Sequence, residues 1–401
     1  MDFVTRRQIK MLRDIFYPKE LKMASLNHHC SSSKRLGQFV PGGARPLMAM
    51  VEVTNRCNMA CPICFSGADR RFSDVSVFRV EKYLRRLLEI TETPIQIQIS
   101  GGEPTMHDDL SEIIATAKQI GYRNIELITN GVKIAQDPSL LYKLKENGLS
   151  SVYLQFDGLN KKTHLKIRGR DMTAVRQQAV EAIRNAGLCC TLAVVVTRGV
   201  NEGEIGNIVQ FAIDRIDVVR AISFQSATRF SGRFELNDGH GGFEMQELLN
   251  LIETQTGVPS DSFLSEHLGH PGCNAMSLVF PVNGKLEPLF KYIRQEDVIE
   301  FLKNDGRQQI LGAFAGKKDF FFRHLTSPVA WKLIAKAAPI FGKNPYNVLR
   351  RKHILLFAKS FMDKDTLDTK RIDSCCYGIT GEEGVFSFCA YNNLYRFHGQ
   401  D

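Results

Sequence analysis

Residues 47–65 read LMAMVEVTNRCNMACPICF, and this stretch decides how the chain is organised. Its first half, 47–54, is an apolar run of strand length. The loop that follows sets Cys57, Cys61 and Cys64 at C-x3-C-x2-C. Downstream, strand-like runs recur at 95–100 (IQIQIS), 124–129 (NIELIT), 151–156 (SVYLQF), 189–197 (CCTLAVVVT) and 221–226 (AISFQS). Segments with helical spacing lie between them, at 77–90, 109–120, 138–147, 171–186 and 203–214, with Gly121, Gly148 and Gly187 near helix ends. Six strands with helical crossovers predict a parallel α/β sheet, open or closed into a partial barrel. In such folds chemistry gathers on the loops after the strands, where the three cysteines fall. The alternation stops near residue 230. The Gly-rich stretch 231–242 marks a boundary, and a helix is expected over 243–256.

The chain has 401 residues, 43% of them hydrophobic and 24% charged, which is globular composition and excludes a disordered or collagen-like chain. No apolar run nears the ~18 residues of a membrane helix, and the first twenty residues lack a secretory core. A soluble, cytoplasmic protein is expected, so its ten cysteines read as ligands or free thiols rather than a disulfide framework. The net charge of +9 is uneven: residues 1–46 carry nine Lys and Arg against three acids, and 320–362 carry eight and no acid. A mildly acidic body thus lies between two basic segments, which suit nucleic acid, anionic lipid or simple solubility.

Three thiolates on one loop can converge on a single metal centre. Tetrahedral zinc wants a fourth protein ligand, whereas an iron–sulfur cluster with three cysteines keeps one iron open to an outside ligand. With Phe65 after it, Cys57-x3-Cys61-x2-Cys64 resembles the signature of the radical S-adenosylmethionine (radical SAM) superfamily. That resemblance implies a [4Fe-4S] cluster whose open iron is chelated by SAM. It also implies a partial (β/α)6 TIM-like barrel, reductive cleavage of SAM to a 5′-deoxyadenosyl radical, and hydrogen abstraction from an unactivated carbon. Ser100-Gly101-Gly102-Glu103-Pro104 follows the second strand and is similar to the family's segment beside the SAM amine. Its glycines permit close backbone approach, and Glu103 offers a carboxylate. Asn130, Gln155 and Asp157 end later strands and are candidates for SAM or substrate contact, or else cap turns. Thr197 and Arg198 are candidates for the SAM carboxylate or ribose. Cys189 and Cys190 open a strand at the opposite end and read as core.

Beyond residue 260 stand His267, His270, Cys273, Cys375, Cys376 and Cys389. The four cysteines are candidates for an auxiliary iron–sulfur cluster in a C-terminal α+β domain, with the histidines as substitutes and zinc as the alternative. The phrases HPGCNAMSLVFPVNGKLEPL and FSFCAYNNLYR are similar to a radical SAM group that includes tetraether lipid synthase and pterin-linked methyltransferase-like enzymes. The organisation expected is therefore a basic arm over 1–46, a radical SAM core over 47–230 and a C-terminal domain over 231–401. Within that domain, 320–362 interleaves Lys and Arg with aromatics and Trp331, and reads as an amphipathic insert for an anionic membrane surface or as a packed helix pair with a solvated basic face. The favoured substrate is a lipid hydrocarbon chain, with peripheral contact at the inner face of the membrane; a small-molecule substrate is the other class. Alternatives are methylation of a pterin, peptide or RNA, and a non-enzymatic iron–sulfur or zinc module. An electron donor such as ferredoxin or flavodoxin is implied, and nucleic acid is not a favoured partner, because no binding motif accompanies the basic stretch.

Overall fold

The computed structural model describes residues 35–68, 73–236, 240–265, 269–294, 296–297, 335–336, 340 and 352–396. The chain divides into two compact units, Met1–Arg35 and Leu36–Asp401, and the second is described below. Most of the basic arm, His267, and 320–351 apart from 335–336 and 340 lie outside the described residues.

In chain order the strands among the described residues are β1 Gln38–Phe39, β2 Met48–Thr54, β3 Ile63–Cys64, β4 Gln96–Gly101, β5 Ile125–Thr129, β6 Ser151–Gln155 and β7 Cys189–Val196, then β8 Val219–Ser226, β9 Arg233–Phe234, β10 Asn274–Val282, β11 Lys285–Pro288, β12 Ile354–Lys359, β13 Tyr377–Gly381 and β14 Gly384–Ser387. Strands β2, β4, β5, β6, β7 and β8 pair in that order, all parallel, as the alternation predicts. Helices cross between them: α1 Val77–Thr91, α2 Leu110–Ile120, α3 Val132–Gln136, α4 Ser139–Asn147, α5 Lys161–Arg168, α6 Thr173–Asn185 and α7 Ile205–Asp214. In α1 the apolar positions Val80, Tyr83, Leu84, Leu87 and Ile90 recur every three or four residues and are buried. Each such Leu or Ile contributes roughly 1.5–3 kcal/mol by leaving water. Helices α2 and α4 end at Gly121 and Gly148, as read from the sequence.

Past residue 230 come the expected helix, α8 Met245–Thr256, and strands that the periodicity does not reveal. They join the same sheet at both edges: β12 pairs parallel to β8 and carries the β10–β11 hairpin, while β13 pairs parallel to β2 and carries β14 and β1. Residues 354–359, inside the stretch read as an amphipathic insert, are therefore a largely buried sheet strand. The run ILLFAK has no alternation because it is covered on both faces, and a short apolar run is ambiguous between strand and helix.

The sheet curls. Lys359 on β12 and Tyr377 on β13 stand on opposite flanks of the six-stranded core, yet the ammonium lies 5.4 Å from the Tyr377 ring centre. Asn274 Nδ2 on β10 likewise donates to Cys376 Sγ, just before β13, at 3.4 Å. These contacts between flanks make the sheet a partial barrel with an interior. Among the described residues no helix is long and apolar enough to cross a membrane.

Candidate active site

The three-cysteine loop leaves β2 and is fastened from every side. Cys64 and Ile63 form a short ribbon with β9, and Arg233 donates to Cys61 O at 3.2 Å and Ala68 O at 2.9 Å. Arg56 pairs with Asp74, bracing the start of the loop. Burial pushes the Cys57 thiol up to about 12 and raises Cys61, with Arg168 opposing it at Cys61. At Cys64 burial is outweighed by hydrogen bonds from Ser66 and Ala68 and by the charge of Arg233, so the thiol is lowered. Two arginines beside thiols suit a donor set that must be anionic, which fits a cluster. Among the described residues no three His, Cys, Asp or Glu side chains gather for a single metal ion.

Gly101 and Gly102 bring the second motif against the first. The Gly102 and Glu103 amides donate to Thr54 O at 2.7 Å and Arg56 O at 2.8 Å. A Cβ on Gly101 would stand 2.0 Å from Thr54 O, at φ +135°, and one on Gly102 would stand 2.2 Å from Arg56 O. The sequence reading directs this freedom toward SAM; in the structure it serves first the approach of one motif loop to the other. Glu103 is buried and accepts from Thr105 N (3.2 Å), Thr105 Oγ1 (2.6 Å), Thr129 Oγ1 (2.7 Å) and Asn130 N (2.7 Å). Burial raises its carboxyl against those bonds. Pro104 begins a turn of 3-10 helix over Pro104–Met106. Asn130 closes the circuit by donating from Nδ2 to Asn58 Oδ1, inside the cysteine loop, at 2.7 Å.

Asp157 is fully buried at φ +63° and anchors a charge network. Arg168 grips it with two bonds, Nε to Oδ2 at 2.6 Å and Nη2 to Oδ1 at 2.8 Å, while Gln155 Nε2 and Val195 N donate to Oδ1 at 2.7 and 3.1 Å. Burial would raise this carboxyl, but the Arg168 and Arg176 charges hold it below the ordinary carboxylate range. Arg168 reaches the cysteine loop at Ile63 O, 3.4 Å. Arg176 donates to Asn130 O, while its Nε and Nη2 are buried without a hydrogen-bond partner. Thr197 Oγ1 is also buried without one. Arg198 is instead half exposed, paired with Glu247 at 3.0 Å and lying over the Phe243 ring.

The four C-terminal cysteines, drawn from three segments of the sequence, line one cavity of about 240 Å³. Arg371 Nε donates to Cys273 Sγ at 3.2 Å and Met362 N to Cys389 Sγ at 3.4 Å. Burial raises Cys273 and Cys389, Cys375 to about 11 and Cys376 to about 12. His270 Nδ1 accepts from Gly272 N at 3.0 Å and so organises its own turn. Cys190 sits in the main core, as read, although it also borders this cavity.

The same cavity holds residues that the sequence reading passed over. Gln96, Gln98, Glu126 and Tyr153 line it from β4, β5 and β6, and Lys359, Tyr377 and Phe388 line it from the C-terminal segment. A signal was available: in IQIQIS the glutamines share one face, and in NIELIT a glutamate interrupts an apolar run. Phe388 packs on Phe65, the residue after Cys64, at 5.5 Å between ring centres, so the cavity wall abuts the cysteine loop.

Residues 51–212 match the radical SAM superfamily. The chain is 33% identical over 397 residues to the 7,8-dihydro-6-hydroxymethylpterin dimethyltransferase of Methanocaldococcus jannaschii, covering 87% of this chain and 77% of that protein. It is 28% identical over 212 residues to the GTP 3′,8-cyclase of Petrotoga mobilis, covering 52% of this chain and 64%, under two thirds, of that one. Among solved structures, Streptococcus suis SuiB bound to its precursor peptide SuiA aligns with a TM-score of 0.45 and 18% identity, over 52% of this chain and 45% of that chain. The chain belongs to the radical SAM superfamily. It is a radical SAM enzyme, and its cofactors are a [4Fe-4S] cluster and SAM.

Proposed function

We propose that this enzyme acts on a carbon of a small planar nitrogen heterocycle, of the pterin type, held in the cavity between the core strands and the C-terminal strands. The observation that carries the reading is that cavity. Its lining sets Tyr153, Tyr377 and Phe388 beside Gln96, Gln98, Glu126 and Lys359, aromatic walls with hydrogen-bonding groups that suit a flat heterocycle. The cavity is floored by the first residues of the core strands, among them Gln96, Glu126, Ser151 and Cys189, and reaches toward the cysteine loop through the contact of Phe388 with Phe65. The name of the M. jannaschii relative, a pterin dimethyltransferase, points the same way. The lipid reading draws on the resemblance to the group that includes tetraether lipid synthase and on 320–362, most of which lies outside the described residues.

In this reading Cys57, Cys61 and Cys64 hold the cluster. Gly101, Gly102, Pro104, Asn130 and Thr197 border SAM, and Arg176, whose Nε and Nη2 make no hydrogen bond although Nη2 lies 3.8 Å from Asp157, suits its carboxylate. Glu103, Gln155 and Asp157 act by holding the loops. When bound and reduced by a ferredoxin or flavodoxin, the cluster with SAM supplies a radical that removes hydrogen from carbon. The chain's own share is to seat the ring, exclude water and fix the reacting carbon. The test uses a dihydropterin deuterated at its ring carbons: deuterium should pass into 5′-deoxyadenosine. Deuterium-free 5′-deoxyadenosine would contradict the reading.

Residues 231–401 contribute an auxiliary iron–sulfur cluster on Cys273, Cys375, Cys376 and Cys389, within the one sheet. Cys273→Ser with Cys389→Ser should lower reconstituted iron by about four atoms per chain. Unchanged iron, counted by colorimetric assay, would leave these thiols as cavity lining.

A further inference from the structure

Resting on the heterocycle reading, we propose that Glu126 and Lys359 read the edge of a 2-amino-4-oxopyrimidine ring, the unit shared by pterins and guanine. Glu126 is 4% exposed, borders the cavity and has no ion-pair partner among the described residues. Its Oε2 accepts from Gln98 Nε2 at 2.6 Å and, weakly, from Gln96 Nε2 at 3.3 Å; Oε1 accepts only from Ser151 at 3.2 Å. A carboxylate has about four acceptor positions, so one is open and a second is held by a long bond that a better donor displaces.

Lys359 faces the same space from β12. Its ammonium lies 5.4, 5.9 and 6.0 Å from the ring centres of Tyr377, Phe357 and Tyr153, and makes no hydrogen bond or ion pair with a described residue. Burial raises the Glu126 carboxyl and lowers the Lys359 ammonium, and the charge of each opposes the other's shift. A buried carboxyl and a partly buried ammonium that face one cavity with no ion pair between them are left for a ligand to satisfy.

The ligand must offer adjacent donors to Glu126, an acceptor to Lys359 and a flat apolar body. A 2-amino-4-oxopyrimidine does so along one edge: the amino N–H and the ring N–H lie side by side, and the carbonyl oxygen follows. Tyr377 and Phe388, stacked at 5.0 Å and 12°, supply an aromatic wall for the body. A lumazine, with oxygen in place of the amino group, sets a lone pair against the carboxylate.

The experiment is fluorescence titration of the anaerobically reconstituted full chain, with SAM, by pterin and lumazine, and by competition with guanosine and inosine. Wild-type protein should bind the amino-bearing member of a pair at least ~10-fold tighter. In Glu126→Gln that gap should close to within ~3-fold, and Lys359→Met should weaken both members of the pair. Preference for the pterin pair or the guanosine pair tells which source the site takes, and either supports the assignment. Equal binding of pterin and lumazine by the wild type, which needs no variant, overturns the assignment while the heterocycle reading stands. If no ring binds although SAM is still cleaved, the heterocycle reading falls and the assignment with it.

Discussion

Asp157→Asn is expected to destabilise the fold by about 3–5 kcal/mol, the cost of removing one partner from a buried ion pair. Arg168 is 9% and Arg176 2% exposed, so the variant leaves two buried guanidinium groups without their shared anion. The loss reaches the site, because Arg168 links Asp157 to the cysteine loop at Ile63. Chemical denaturation should therefore show the loss of stability, and iron uptake should fall with it. The pH dependence has a definite sign. A carboxyl held below its unfolded value of about 3.9 contributes stability that is present above that pH and lost as pH falls through its folded value. Acidification below about pH 4 should thus erode wild-type stability, and this part of the slope should vanish in Asp157→Asn. A variant as stable as wild type at neutral pH would remove the network from the account.

Gly102→Ala should reduce SAM cleavage by ~100-fold, the usual consequence of an ångström-scale displacement beside reacting groups. The added carbon would lie 2.2 Å from Arg56 O and 2.9 Å from the Ala68 Cβ, so the two motif loops must separate. The Glu103 amide bond to Arg56 O stretches in the same movement. The expected phenotype is a folded protein with near-normal thermal unfolding, altered cluster absorption and little 5′-deoxyadenosine. Wild-type turnover in Gly102→Ala would mean that the loops tolerate separation.

The six parallel strands and the cysteine loop were legible because each depends on local pattern: period-2 runs, helical spacing between them, and three thiols within eight residues. The roles of Asp157 and Glu103 were not. In sequence both stand at strand ends, where a capping carboxylate and a binding carboxylate look alike. Only the fold brings Arg168 and Arg176 onto Asp157, and Thr105, Thr129 and Asn130 onto Glu103. Arg198 shows the opposite case: it follows a strand as Asn130 and Thr197 do, yet it pairs with Glu247 and lies over the Phe243 ring. The C-terminal strands stayed hidden because β12 is a continuous apolar run set in a basic segment. The meeting of Lys359 with Tyr377 depends on curvature between opposite flanks of the sheet, which no local spacing encodes.

The most direct test of the account is SAM cleavage by the anaerobically reconstituted holoprotein under strong reductant, with 5′-deoxyadenosine quantified by mass spectrometry. The account predicts 5′-deoxyadenosine from wild-type protein, an increase on adding a dihydropterin, and only background from Cys57→Ala, Cys61→Ala and Cys64→Ala. Wild-type protein with a full complement of iron that yields no more 5′-deoxyadenosine than Cys61→Ala would contradict it.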